Sequence, residues 1–194
     1  MEDKREIRNT SYQVVSDEEK RTVEGYAVLF DTPSTDLAFS EIIERGALDG
    51  VIEKSDVLAL LNHNENRGIL ARCKNGIGSL ELTIDEKGLK YRFEAPKTAL
   101  GDELLENIRR NEVDTSSFAF TVSKDVWEKL SDGTWKRFIK KVEKIYDVSP
   151  VYNAAYSATS VYLRGKEQAE AELRKQQDQD LTDYWKNIEN QFNF

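Results

Sequence analysis

The stretch "SLELTIDEKGLKYRFEA" constrains the fold more than any other part of the chain. Leu80, Leu82 and Ile84 alternate with polar residues, "DEKG" supplies turn chemistry, and Leu89, Tyr91 and Phe93 resume the alternation. A period of two on both sides of a short turn is a β-hairpin with one buried face. A helix would scatter those side chains around its axis.

Other segments repeat this signal. "TVEGYAVLF" (22–30) has strand composition, with Gly25 as a candidate bulge, and "DVLALL" (56–61) reads as a buried strand. "VDTSSFAFTV" (113–122) is a strand presenting Phe118, Phe120 and Val122 on one face. "VWEKLSDGTWKRFIKKVEKIYDVSPVY" (126–152) is a second hairpin around Asp132-Gly133, and "TSVYLRG" (159–165) a closing strand. Two segments read as helical. "TALGDELLENIRRN" (98–111) places Leu100, Leu104, Leu105 and Ile108 at helical spacing, with Arg109 and Arg110 at the favourable end. "FSEIIERGALDGVI" (39–52) is expected to form a short helix or helical turn with Ile42, Ile43 and Leu48 inward. The expected class is α+β: a strand-rich, barrel-like domain with flanking helices over residues 1–165.

After Gly165 the character changes. "KEQAEAELRKQQDQD" is a polar helix former. "LTDYWKNIENQFNF" gathers Leu181, Trp185, Ile188 and Phe192 on one helical face. Residues 166–194 are therefore expected to form a charged, amphipathic helical tail.

Composition removes several function classes. With 39% hydrophobic residues the 194-residue chain can build one core, and its net charge is −8. No basic cluster makes a nucleic-acid footprint. The nearest, Lys136–Lys144, alternates as the wet face of a strand would. The longest aliphatic run, Val57–Leu61, is far too short for a membrane span. The opening "MEDKREIRNT" lacks the apolar segment of a secretory signal, so an intracellular, soluble protein is expected. A single cysteine, Cys73, leaves no cysteine zinc cluster, and neither cofactor nor metal is expected.

His63 is the chain's only histidine, at the point where an apolar run gives way to polar residues. A hydrolytic serine needs a base within hydrogen-bond reach and a group that orients the base. His63 is the only available imidazole. The nucleophiles open to it are Ser116, Ser117 and Cys73. Many acids could orient it, among them Asp147, which lies in a strand-like position beside apolar residues. Spacing does not choose among these, and it leaves a plain surface or core histidine open.

The stretches "GYAVLFDTPS", "FSEIIERGAL", "LLNHN" with "LAR", "LELTIDEKGL", "SSFAF" and "DVSPVYNAAYSATSV" follow one another across most of the body. In that order they resemble the tailed-phage (caudovirus) prohead protease family, which is similar in fold to the herpesvirus assembly proteases. The resemblance implies a serine endopeptidase that cleaves scaffold or major capsid protein, and itself, during prohead maturation. It places the protein in the host cytoplasm inside assembling proheads, with self-association possible; the composition already argues against nucleic acid and membrane as partners. It maps His63 onto the general base and Ser117 onto the nucleophile, and makes Asp147 the third member. Ser116 stands where a larger apolar residue is common, leaving a second hydroxyl beside the nucleophile. Backbone amides around Asn153–Tyr156 are the candidate oxyanion donors. Two other readings remain: a cysteine hydrolase using Cys73 and His63, and an inactive family member serving as scaffold or assembly protein.

Overall fold

The computed structural model describes residues 5–10, 13–17, 19–34, 37, 39–152, 170–171, 174–175, 178–183 and 186. Among the described residues, eleven strands and one continuous α-helix follow in chain order: β1 (Glu6–Thr10), β2 (Val15–Asp17), β3 (Thr22–Leu29), β4 (Ser40–Ile43), β5 (Asp56–Ala59), β6 (Ala71–Lys74), β7 (Ile77–Gly78), β8 (Leu80–Ile84), β9 (Gly88–Glu94), α1 (Ala99–Arg109), β10 (Thr115–Lys129) and β11 (Trp135–Val151).

They form two sheets. The larger runs β1-β10-β11-β5-β6-β7, with β4 also pairing β11, and the smaller runs β2-β3-β9-β8. The long strand β11 organises the larger sheet. One of its edges pairs antiparallel with β10, from Thr115↔Val151 to Lys129↔Trp135. Its other edge is shared by two short parallel partners, β4 at Lys136–Ile139 and β5 at Asp147–Val148. Val23, Leu89, Tyr91 and Phe93 of the smaller sheet and Val57, Phe118, Phe120, Ile145 and Val148 of the larger are all buried in a single core with Leu104 of α1. Each large side chain removed from water there contributes ~1.5–3 kcal/mol.

The β8/β9 hairpin has the expected register, Leu80↔Phe93, Leu82↔Tyr91 and Ile84↔Leu89. Asp85 closes its turn by accepting from the amides of Lys87 and Gly88. Helix α1 forms where expected, capped by the Thr98 hydroxyl and buried through Leu104 and Leu105. The separate strand and hairpin expected over 113–152 are one continuous 15-residue strand followed by a 17-residue one. Four register shifts between Ala119 and Asp125 twist this ribbon, so its tip leaves the main core. There Phe39 and Trp135 form a small cluster of their own with Trp127.

Several expectations need correcting. No helix runs through 39–52; only a series of turns, with Ala47, Asp49 and Val51 N–H donating to the Glu44, Gly46 and Leu48 carbonyls, follows its first part. That first part is β4, because two β-branched isoleucines suit a strand and find a partner in β11. Gly46 and Gly50 then take positive φ of 84° and 69°, which breaks any helix at that point. Ile43 and Leu48 are buried as expected, whereas Ile42 is only partly so. The barrel is not closed, and no ladder joins the two sheets among the described residues. The chain passes between the sheets by connections and not by shared pairing, and one of these is Gly78–Leu80, where the edge strand β7 is only two residues long. Gly25 is not the bulge; the register shift lies between Tyr26 and Val28. The basic run 136–144 is not simply a wet face either, for Arg137 is buried.

In the tail, helical backbone is described only at 170–171, 174–175, 178–183 and 186, and no continuous helix is among the described elements. Trp185, Ile188 and Phe192 lie outside the described residues, as does the expected strand 159–165.

Candidate active site

Strand β10 carries adjacent serines, and the pleat sends them to opposite faces. Ser116 points into the core, where its hydroxyl lies 2.8 Å from Tyr91 Oη. Burial pushes the Tyr91 hydroxyl well above the usual phenol range, partly offset by the Ser116 bond, so this pair is neutral. Ser117 points to the other face. Its register partner on β11 is Ser149, and that of Ala119 is Asp147. Ser117, Ser149 and Asp147 therefore share one face of the ladder.

His63 reaches that face from β5. Beyond Ala59 the chain stays on β11, with Leu60 N–H donating to the Val148 carbonyl and Asn62 N–H to that of Pro150. Asn62 and His63 then both adopt left-handed backbone, φ 54° and 57°. Two consecutive non-glycine residues there are strained, and such strain gathers at functional sites. The turn is held by Asn64 N–H donating to the Leu61 carbonyl and by the Asn64 side chain accepting from Asn66 N–H. Both flanking asparagines thus shape the turn.

The three residues singled out in the sequence meet here. His63 Nδ1 lies 2.6 Å from Asp147 Oδ1, and His63 Nε2 lies 2.7 Å from Ser117 Oγ. Ser117 and Asp147 are buried, and the His63 side chain is 13% exposed. A carboxylate on Nδ1 selects the tautomer with the proton on that nitrogen, which leaves Nε2 free to accept the Ser117 proton. The Arg8 carbonyl of β1 lies 2.9 Å from Ser117 Oγ and offers the hydroxyl a second acceptor. The hydroxyl has one proton, which it can donate to Nε2 or to the Arg8 carbonyl.

Cys73 is not part of this arrangement. It is buried on β6, and burial pushes its thiol up, away from the thiolate, against a smaller opposing effect of the Gly76 backbone. Both His63 ring nitrogens are engaged by Asp147 and Ser117. Residues 153–156, the expected oxyanion donors, lie outside the described residues. Among the described residues no group of His, Cys, Asp or Glu is arranged to hold a metal ion, and no helix is long and apolar enough to cross a membrane.

The sequence reading missed Ser149. Its hydroxyl is 2.7 Å from Asp147 Oδ1 and 3.3 Å from His63 Nδ1. Its signal was present, since a residue two places from Asp147 on a strand shares its face.

Comparison with known proteins agrees with this architecture. The bacteriophage T4 capsid assembly protease has a similar fold, with a TM-score of 0.51 at 13% identity over 77% of this chain and 98% of that one. No curated protein sequence matches the chain. The family model described as caudovirus prohead serine protease matches residues 9–174. With that match spanning most of its length, the chain belongs to the caudovirus prohead serine protease family.

Proposed function

We propose that the protein is a serine endopeptidase that cleaves capsid or scaffold protein during prohead maturation, with Ser117 as nucleophile, His63 as general base and Asp147 as the group that orients the base. The observation that carries this reading is the single line of hydrogen bonds from Asp147 through both nitrogens of His63 to Ser117. In the first step Nε2 takes the Ser117 proton as Oγ adds to the scissile carbonyl. Asp147 stabilises the resulting imidazolium. Nε2 then gives the proton to the leaving amine, and water repeats the sequence on the acyl-enzyme. Family membership supports the class of substrate, and it supports a site of action inside assembling proheads in the host.

Ser117→Ala should fold normally and lose about 10⁴–10⁶-fold in cleavage rate, read by intact mass after co-expression with the phage's capsid protein. Ser116→Ala should remain active, because that hydroxyl faces Tyr91. Asp147→Asn should lower the rate by roughly 10⁴-fold. Cleavage by Ser117→Ala at the wild-type rate would sink the assignment. If Cys73→Ala alone abolished cleavage, the cysteine reading would replace it, and no cleavage by the wild-type chain would favour an inactive scaffold.

The proposal extends to domain organisation: residues 1–165 as the catalytic domain and 166–194 as a tail that docks on capsid or scaffold protein, or on a second copy. The polar segment Gln176–Asp180 is then a linker open to self-cleavage.

A further inference from the structure

We propose that Ser149 is a positioning residue of the catalytic machinery, a fourth member that holds Asp147 and, through it, the tautomer of His63. This inference rests on the triad reading above and deepens it. Ser149 is buried on β11 directly opposite Ser117. Its hydroxyl has one proton, and the acceptor facing it is Asp147 Oδ1 at 2.7 Å. That oxygen also accepts from His63 Nδ1–H at 2.6 Å. Among the described residues, the hydrogen bonds to the Asp147 side chain come from these two groups.

The geometry has two consequences. First, Ser149 Oγ lies 3.3 Å from His63 Nδ1, so its lone pairs face the same N–H that the carboxylate accepts. The Nδ1 proton has its main acceptor in the carboxylate at 2.6 Å and a longer, weaker contact with the Ser149 hydroxyl beside it. Secondly, the Ser149 bond restrains rotation of the carboxylate about Cβ–Cγ. A carboxylate with His63 as its only donor can turn away, and the ring can then move its proton to Nε2. In that tautomer Nε2 cannot accept from Ser117. Ser149 touches no reacting atom. It acts by keeping the productive tautomer populated.

The test uses the full chain and needs no knowledge of the cleavage site. A fluorophosphonate probe phosphonylates an activated serine, and its rate is followed by intact mass. His63 is the only histidine, so ¹⁵N-histidine labelling gives one imidazole whose tautomer is read by NMR without assignment. Ser149→Ala should slow phosphonylation about 10- to 100-fold, the range for losing one hydrogen bond to a charged group. It should also move the ring ¹⁵N resonances toward the Nε2–H tautomer, a change that a purely structural serine would not produce. If Ser149→Ala does not fold, Ser149→Cys keeps the shape with a far weaker donor, and at least a several-fold slowing is expected there. A wild-type rate with unmoved ring resonances, in whichever variant folds, overturns the proposal. Labelling of Ser117→Ala as fast as wild type, or no labelling of wild type, instead sinks the triad reading and takes this inference with it. Wild-type labelling that is lost in Ser117→Ala and unaffected in the Ser149 variant sinks this inference alone.

Discussion

At the scale of single residues, Ser116 and Ser117 show how much the pleat decides. One hydroxyl is locked in the core against Tyr91, while its neighbour faces an imidazole. The Tyr91–Ser116 pair depends on Gly25 of β3. A Cβ at that position would lie 2.5 Å from Tyr91 Oη and 2.8 Å from Ser116 Oγ. The Tyr91 ring is fully buried, so moving it means repacking its neighbours. Gly25→Ala should therefore cost about 1–3 kcal/mol of stability, the usual penalty for overpacking a core, measured by urea unfolding. Activity should fall with it, because the displaced hydroxyl belongs to the residue beside Ser117. Unchanged stability would show that the ring can shift.

At the scale of elements, β1 is the edge strand that borders β10, with Asn9 opposite Ser117. It is fastened by buried charge. Arg8 donates to Glu41 Oε1 at 2.6 Å and to Glu6 Oε2 at 2.6 Å. Arg137 of β11 donates to Glu6 Oε2 at 2.6 Å, to Glu41 Oε2 at 2.9 Å and to Asp125 Oδ2 at 2.6 Å. Burial opposes the Arg137 charge, but the Glu6 hydrogen bonds and the charges of Glu6, Glu41 and Asp125 outweigh it, so the guanidinium is held more firmly protonated than usual. Four strands, β1, β4, β10 and β11, are tied at one point. Arg137→Met leaves buried carboxylates short of donors and should cost about 3–5 kcal/mol. A loss below about 1 kcal/mol in urea unfolding would show that water replaces the missing donors. The network also holds the strand that brings the Arg8 carbonyl to Ser117.

At the scale of the whole molecule, the two-sheet body carries the site and the tail is a candidate docking element. Leu181 is 55% exposed, and Gln179 and Asp183 are joined by a one-turn hydrogen bond of 3.1 Å. Leu181, Trp185, Ile188 and Phe192 fall on one stripe if the helix runs through them. Deleting residues 176–194 should leave the melting temperature within a few degrees and abolish incorporation into proheads. A large drop in melting temperature would mean that the stripe packs on the body. Unchanged stability with unchanged incorporation would remove both roles.

Local pattern alone determined the β8/β9 hairpin, helix α1 and the β10/β11 turn; at the site it offered His63 with Ser116, Ser117, Cys73 and many acids, and the family resemblance singled out Ser117 and Asp147. Period, caps and turn chemistry act over a few residues, so they are legible without a fold. The start of segment 39–52 reads as helical because a four-residue strand is too short to show its period, and what makes Ile42 and Ile43 a strand is β11, about a hundred residues away. Arg137 looked like a solvent-facing charge because its partners Glu6 and Glu41 are distant in sequence. The choice between Ser116 and Ser117 was open for the same reason. Adjacent strand residues differ only in which face they occupy, and only the packing of the two sheets decides which face is core and which receives the imidazole.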